Sequence, residues 1–192
     1  LGYVYHRGNY KFYSSISTAF KAPNVDDFGK IFEKRGNLTI PNPNLKPETS
    51  LNYEIGSNWI QQYLDFDFAV FYSQVFNLMT KLPTQINGES TLSNEEDNLN
   101  LVSVQNNGLA NVYGVFGATK LKFTNRLELT STFTFTKADY ANKNESVGHI
   151  PPLYGMSSLS YKERKIKYSL YSRYNGKKRW SDFNSLVDNP DE

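Results

Sequence analysis

The feature that most constrains this chain is an alternation of apolar and polar side chains, with a period of two residues, in separate segments. The clearest alternation occurs in residues 51–59, 64–73, 127–136 and 166–174. Successive side chains of a β-strand point to opposite faces, so each segment would have one apolar and one polar face. Weaker alternation occurs in residues 1–5, 10–20, 112–123 and 153–161. The sequence therefore predicts about eight strands.

The connections between these segments are alternately short and long. Short connections fall near residues 7–9, 61–63, 125–126 and 163–165. Long connections cover residues 21–47, about 81–100 and 141–150, and a further one follows Gly176. Outer-membrane barrels have tight turns on one side and long loops on the other, and strands of about ten residues cross a bilayer at a tilt. The rhythm predicts an all-β fold, an antiparallel up-and-down transmembrane β-barrel.

The composition is compatible with a barrel although the chain is polar on average. Only 39% of the 192 residues are hydrophobic and the mean hydropathy is −0.58. A barrel strand faces lipid with every second residue, so its average hydropathy stays low. The 14 Tyr and 13 Phe suit the membrane–water boundary. Trp59, Phe123 and Tyr161 lie beside short connections and predict one aromatic girdle of a barrel.

Several classes of function are disfavoured by what the sequence contains. The chain has no cysteine, which excludes disulfides and thiolate metal sites. Its net charge of +2 gives no nucleic-acid footprint. His6 and His149 lie far apart without a second ligand at metal spacing, and no Ser-His-Asp set is recognisable. We therefore expect no enzyme activity, no cofactor and no bound metal.

Five phrases of the sequence, in this order, resemble the barrel signature of TonB-dependent outer-membrane receptors. They are FKAPN at residues 20–24, NPNLKPE at 42–48, NYEIG at 52–56, NNGLANVYGV at 106–115 and IPPLYG at 150–155. Phe116 stands where that family usually has Glu. A looser phrase, YNGKK at residues 174–178, resembles members of a Bacteroidetes-like branch.

The resemblance implies a much larger protein than this chain. Members of the family have a barrel of about twenty-two strands, which an N-terminal plug domain fills. Residues 1–192 would be one partial barrel domain that lacks the plug, the segment that contacts TonB and the final strands. The absence of a signal peptide and the polar ending NPDE also lead us to expect an internal piece of a longer protein.

The resemblance also implies a location, partners and an activity. The protein would lie in the bacterial outer membrane and contact its lipid and lipopolysaccharide. It would bind a scarce nutrient at its extracellular loops and import it, with energy supplied through TonB acting on the plug. Siderophores, haem, cobalamin and glycans are the candidate cargoes, and a surface lipoprotein is a further candidate partner.

Charged residues on the polar register of the strands are candidates for contacts inside the barrel. We favour ion pairs with the plug, and a polar track for the ligand is the alternative. Gly56, on the same register, leaves room for a group packed against its strand. The candidate residues are Glu54, Asp65, Asp67, Lys120, Lys122, Lys167 and Arg173.

Two clusters on the predicted loops carry alternative interpretations. The acidic run Glu95-Glu96-Asp97 predicts either a cation site or a solvated loop tip. The basic and aromatic run of Lys177, Lys178, Arg179 and Trp180 predicts contacts with an anionic ligand or with lipopolysaccharide phosphates. The alternative for this second run is snorkelling at the membrane edge.

Two other functions remain open at the level of the sequence. One is a passive porin or structural barrel without TonB coupling, which an upstream plug domain would exclude. The other is a soluble, β-rich surface binding domain such as an adhesin, which would be released by salt without detergent. The alternating loop lengths argue against a soluble binding domain.

Overall fold

The computed structural model describes residues 1–93, 98–141, 145–148 and 150–178, without the side chain of Asp27. Among these residues lie thirteen strands and one short helix, α1 (Val25–Gly29). The strands are β1 (Gly2–Arg7), β2 (Tyr10–Lys21), β3 (Phe32–Lys34), β4 (Asn37–Ile40), β5 (Glu48–Ile60), β6 (Leu64–Phe76), β7 (Met79–Pro83), β8 (Thr91–Ser93), β9 (Asn98–Asn106), β10 (Leu109–Lys122), β11 (Leu127–Tyr140), β12 (Leu153–Glu163) and β13 (Ile166–Asn175). No described helix is long and apolar enough to cross a membrane.

Eight of these strands form one antiparallel, up-and-down sheet in the order β1-β2-β5-β6-β10-β11-β12-β13. All eight correspond to segments that the alternation predicted, including the four weaker ones. Five of them have 12 to 14 residues, which exceeds the length that a tilted barrel strand needs. The fold class predicted from the sequence is therefore confirmed.

The register of the sheet separates an aromatic face from a polar face. In the β1/β2 ladder Tyr5 lies opposite Phe12, and in the β12/β13 ladder Tyr161 lies opposite Tyr168. On the polar face Lys120 lies opposite Thr130. Large apolar side chains of the aromatic face are exposed in this chain, Leu170 to 72%. An exposed band of this kind suits lipid rather than water.

Aromatic residues beside the short turns contact residues of neighbouring strands or turns. Trp59, at the end of β5, stacks on Tyr10 at the start of β2, with ring centroids 5.7 Å apart and planes 6° from parallel. The hydroxyl of Tyr161 donates a hydrogen bond of 2.9 Å to Glu163 at the next turn. Rings with polar tips at one edge of the sheet are the arrangement expected at a membrane–water boundary.

The polar face is packed tightly around one glycine of β5. A Cβ at Gly56 would collide with the ring of Tyr13 from β2 and would lie 2.8 Å from the carbonyl oxygen of Phe68. The space that Gly56 leaves is therefore filled by a side chain of the sheet itself. The ring covers the backbone there, as aromatic side chains do beside glycines in sheets.

Residues 18–50 and 75–109 form a second compact unit, separate from the unit formed by residues 1–17, 51–74 and 110 onward. It contains a small sheet with the order β3-β4-β9-β7, to which β8 adds by pairing with β9. β4 pairs parallel with β9, whereas β3 and β7 pair antiparallel with their neighbours. Leu101 of β9 is 1% exposed and is the centre of its core. We call this unit the loop subdomain.

Most of the loop subdomain falls in segments that were predicted as long connections, and neither its short elements nor β9 were predicted from the sequence. The strands β3, β4, β7 and β8 have only three to five residues. So short a segment cannot show a sustained alternation, and the helix α1 is likewise shorter than two helical turns.

Replacing Gly56 by Ala should destabilise the sheet because the new methyl group meets both the Tyr13 ring and backbone. Overpacking of this kind costs about 1–3 kcal/mol. Urea unfolding of the detergent-folded, full-length polypeptide would measure the loss. Gly29→Ala is the control, because a Cβ there meets nothing within 4 Å. Equal unfolding midpoints for the two variants would contradict the packing described here.

Candidate functional site: the polar face and the loop subdomain

The acidic candidates of β5 and β6 lie on the polar face, where one of them contacts Tyr13. The Tyr13 hydroxyl donates a hydrogen bond of 3.2 Å to Oδ1 of Asp67, and the Tyr13 ring lies over Gly56. Asp65 and Glu54 lie two positions from Asp67 and Gly56, so strand geometry puts them on this face. The structure thus places the three predicted carboxylates on the polar face, and Asp67 is hydrogen-bonded there.

The basic candidates of β10 lie near the short turn at its end. Nζ of Lys120 lies 3.3 Å from Oε2 of Glu128, and Lys122 lies directly opposite Glu128 in the ladder. The side chain of Lys120 is 42% exposed, so this ion pair is weak. Two positive charges around one carboxylate leave the region net positive.

The basic candidates of β13 have apolar or like-charged neighbours. Arg173 lies opposite Met156, and Lys167 lies opposite Lys162. Like charges directly opposite in a ladder are unfavourable. Tyr171, on the same face as Arg173, is 63% exposed. This part of the polar face therefore offers positive charge and uncovered apolar surface.

Lys177 lines a cavity of about 370 Å³ at the end of the sheet where β11 stops and β12 begins. Apolar residues of the lining include Phe135, Val147 and Leu153, and Lys137 is also part of it. Nζ of Lys137 lies 3.4 Å from Asp139. Contact of Lys177 with an anion or with lipopolysaccharide stays a prediction.

Other residues singled out from the sequence lie outside the described residues. They are Glu95, Glu96, Asp97, His149, Arg179 and Trp180. Within the part of the chain that the structure describes, no group of three metal-ligating side chains could hold an ion.

Asn106, at the end of β9, ties three segments of the loop subdomain together. Its side-chain amide donates hydrogen bonds of 2.8 Å to the carbonyl oxygens of Lys46 and Asn77. Its side-chain oxygen accepts one of 2.7 Å from the backbone N–H of Lys46. A single amide therefore pairs with both backbone groups of Lys46, in the NPNLKPE phrase, and with the turn after β6.

The first and last residues of the NPNLKPE phrase make two further links. Asn42 donates a hydrogen bond of 2.9 Å to the carbonyl oxygen of Val104 in β9. Oε1 of Glu48 accepts one of 2.7 Å from the backbone N–H of Met79, and its Oε2 lies 3.4 Å from Nζ of Lys21. The Glu48 side chain is only 11% exposed, so its charge needs these partners.

The NPNLKPE phrase carries part of the family resemblance, but the sequence predicted no contacts for it. Asn42, Lys46 and Glu48 lie in the phrase, and Asn106 begins the later phrase NNGLANVYGV. In the structure, Lys46 of the first phrase is hydrogen-bonded to Asn106 of the second phrase within the loop subdomain. Only the three-dimensional structure shows that the two phrases contact each other.

Comparison with known proteins shows which family this sheet belongs to. The family described as TonB dependent receptor-like, beta-barrel, matches residues 1–191. The vitamin B12 transporter BtuB of Vibrio vulnificus is 32% identical over 84 residues, which are 44% of this chain and 13% of that protein.

Solved structures have the same fold. The hemophore receptor HasR of Serratia marcescens aligns with a TM-score of 0.70 and 15% identity, over 91% of this chain and 31% of the receptor. The ferric enterobactin receptor PfeA of Pseudomonas aeruginosa aligns with a TM-score of 0.68 and 18% identity, over 91% and 27%.

The sheet defines a wall of an outer-membrane β-barrel. The chain belongs to the TonB-dependent receptor-like β-barrel family. Members of this family are outer-membrane transporters and receptors, not enzymes. The chain spans 13% to 31% of the length of these relatives.

Replacing Asn106 by Ala removes three hydrogen bonds, each worth about 0.5–1.5 kcal/mol net. Local opening of the loop subdomain should become easier by about 1.5–4.5 kcal/mol. Hydrogen–deuterium exchange should then be faster in residues 42–48 and 77–83 than in the parent protein. Asn98→Ala is the control, because Asn98 accepts one bond from Ser93 at the sheet edge. Unchanged exchange in the Asn106 variant would show that this amide does not tie the segments together.

Proposed function

We propose that this chain is part of the wall and extracellular loops of an outer-membrane importer that takes up a scarce nutrient with energy supplied through TonB. The observation that carries the proposal is the family match over residues 1–191, combined with a sheet that has one aromatic and one polar face. The loop subdomain would receive the cargo.

The rest of the importer would come from the polypeptide to which this chain belongs. β1 and β13 stand at the two ends of the sheet order. Unpaired backbone groups in hydrocarbon cost several kcal/mol each, so we infer further strands beyond both. A barrel of about twenty-two strands with a plug domain inside it would provide them.

The partners of the importer follow from the two faces. The aromatic face would contact outer-membrane lipid and lipopolysaccharide. On the polar face, Glu54, Asp65, Asp67, Lys120, Lys122, Lys167 and Arg173 would form ion pairs with the plug. TonB would act through the plug, and a surface lipoprotein stays a candidate partner.

The named relatives transport vitamin B12 or recognise a hemophore with heme or ferric enterobactin. The candidate cargoes to test are siderophores, haem, cobalamin and glycans.

Energy coupling is tested most simply in cells that produce the full-length polypeptide. Uptake of radiolabelled cargo should be lost when TonB is deleted, whereas binding of the cargo to the cell surface should remain. An inactivated plug segment that no longer contacts TonB should have the same effect as the deletion. Uptake that continues at the same rate without TonB would instead identify a passive barrel.

A further inference from the structure

The aromatic face of the eight-stranded sheet carries a second band of rings, away from the short turns. Tyr53 of β5 and Tyr72 of β6 pack with ring centroids 6.3 Å apart. The Tyr72 hydroxyl donates a hydrogen bond of 2.9 Å to Oδ1 of Asn111 in β10. The Tyr113 hydroxyl, also of β10, donates one of 3.2 Å to Oδ2 of Asp139 in β11. Rings with polar tips thus lie at both boundaries of the apolar band that faces lipid.

The spacing of the two bands fits the thickness of an outer membrane. Lys137 lies opposite Tyr113 in the β10/β11 ladder, ten positions beyond Leu127, where β11 leaves its short turn. Ten positions at about 3.3 Å per residue cover about 33 Å along the strand. A tilt of roughly 40° reduces this length to about 25 Å along the membrane normal, which is the height of the apolar band of a barrel. Because the short turns of such barrels are periplasmic, Lys137 lies at the outer boundary of the band.

A cavity of about 370 Å³ lies at this outer boundary. Phe135, Lys137 and Leu153 are part of its lining. All three belong to the aromatic face, because Phe135 lies opposite Leu153 in the β11/β12 ladder and two positions from Lys137. Val147 and Ile150, in the connection between β11 and β12, add further apolar surface. The apolar walls of the cavity therefore include side chains from the side of the sheet that faces lipid.

Backbone hydrogen bonds hold the walls of the cavity in place. The N–H of Thr136 donates a bond of 2.9 Å to the carbonyl oxygen of Pro152. The N–H of Gly176 donates one of 2.6 Å to the carbonyl oxygen of Leu153. This second bond fixes the chain immediately before Lys177, which also lines the cavity. The cavity is therefore formed by paired backbone, and a lysine is held at its edge.

The cavity carries more positive than negative charge. Nζ of Lys137 lies 3.4 Å from Oδ2 of Asp139, and the same carboxylate accepts hydrogen bonds from the hydroxyls of Tyr113 and Ser146. Within the part of the chain that the structure describes, no carboxylate forms an ion pair with Lys177, whose side chain is exposed. One ammonium group is thus available to an anion beside the apolar walls.

We propose that this cavity binds lipid A, the phosphorylated and acylated part of lipopolysaccharide. Lys137 and Lys177 bind a phosphate group through charge-assisted hydrogen bonds, and an acyl chain lies against Phe135 and Leu153. The inference rests on the proposed function and assigns one of its lipid contacts to named residues. Lipopolysaccharide forms the outer leaflet of an outer membrane and phospholipids form the inner leaflet. A cavity at the outer boundary therefore meets lipid A rather than a phospholipid.

The test is a binding measurement on the delipidated, full-length polypeptide in detergent, with bisphosphorylated lipid A as the probe. Lys177→Ala should weaken the affinity about tenfold, as expected for a lost hydrogen bond to a charged group. Lys177→Arg keeps the charge and should retain most of the affinity. Lys165→Ala removes the same charge in the short turn between β12 and β13, at the opposite boundary, and should bind like the parent protein.

A second variant separates the apolar walls from the charge. Val147→Trp fills part of the cavity without changing either lysine and should weaken binding of lipid A several-fold. Heat-modifiable migration in SDS gels verifies that each variant has a folded barrel. Affinities equal to that of the parent protein for both Lys177→Ala and Val147→Trp would overturn the site.

A second probe tests the choice of lipid. Phosphatidylglycerol also has a phosphate and acyl chains, and it should bind more weakly than lipid A and respond less to Lys177→Ala. Equal affinity for the two lipids, with equal sensitivity to Lys177, would overturn the assignment to lipid A.

The site and the transport function can fail separately. If the protein imports cargo in a TonB-dependent manner and does not bind lipid A, the proposed site is wrong and the importer stands. If lipid A binds with the expected sensitivity to Lys177 but no cargo enters in a TonB-dependent manner, the site stands and the transport proposal is wrong.

Discussion

The fold of this chain depends on the requirement that every backbone N–H and C=O group in hydrocarbon has a partner within the protein. Strands meet that requirement only by pairing with neighbours, and the eight-stranded antiparallel sheet does so with strands as long as 14 residues. Once the backbone is paired, the side chains of one face can contact lipid while those of the other face remain polar. This is why a chain with a mean hydropathy of −0.58 can present a continuous apolar face.

Where the chain leaves the wall, side chains replace the ladder as partners of the backbone. Asn106 forms hydrogen bonds with backbone groups of Lys46 and Asn77, and Glu48 accepts one from the backbone N–H of Met79. The family phrase NPNLKPE thereby acquires a physical explanation. It marks the point where a loop re-enters the wall and must be held in register with a second loop. Within the loop subdomain, Nζ of Lys81 lies 4.5 Å from the centroid of the Phe32 ring.

The sequence predicted the wall because the alternation is local. In β6 the series Leu64, Phe66 and Phe68 alternates with Asp65 and Asp67, and no knowledge of the partner strands is needed to read it. The loop subdomain could not be predicted in this way, since β3 has three residues and β4 pairs with a strand some sixty positions later. The contacts of Asn106 and the meeting of Phe32 with Lys81 arise from that distant pairing. Candidate charges could be assigned to a face, but their partners could not.

The central claim is that the eight-stranded sheet faces lipid on one side only, and accessibility along β6 tests it most directly. This chain has no cysteine, so single cysteines can be placed at successive positions 64–73 of the full-length protein and spin-labelled in bilayers. Labels at Phe66, Phe68 and Val70 should be accessible to oxygen dissolved in the lipid, and labels at Asp65 and Asp67 should not. Accessibility without a period of two residues, or with high values at the aspartates, would contradict the account.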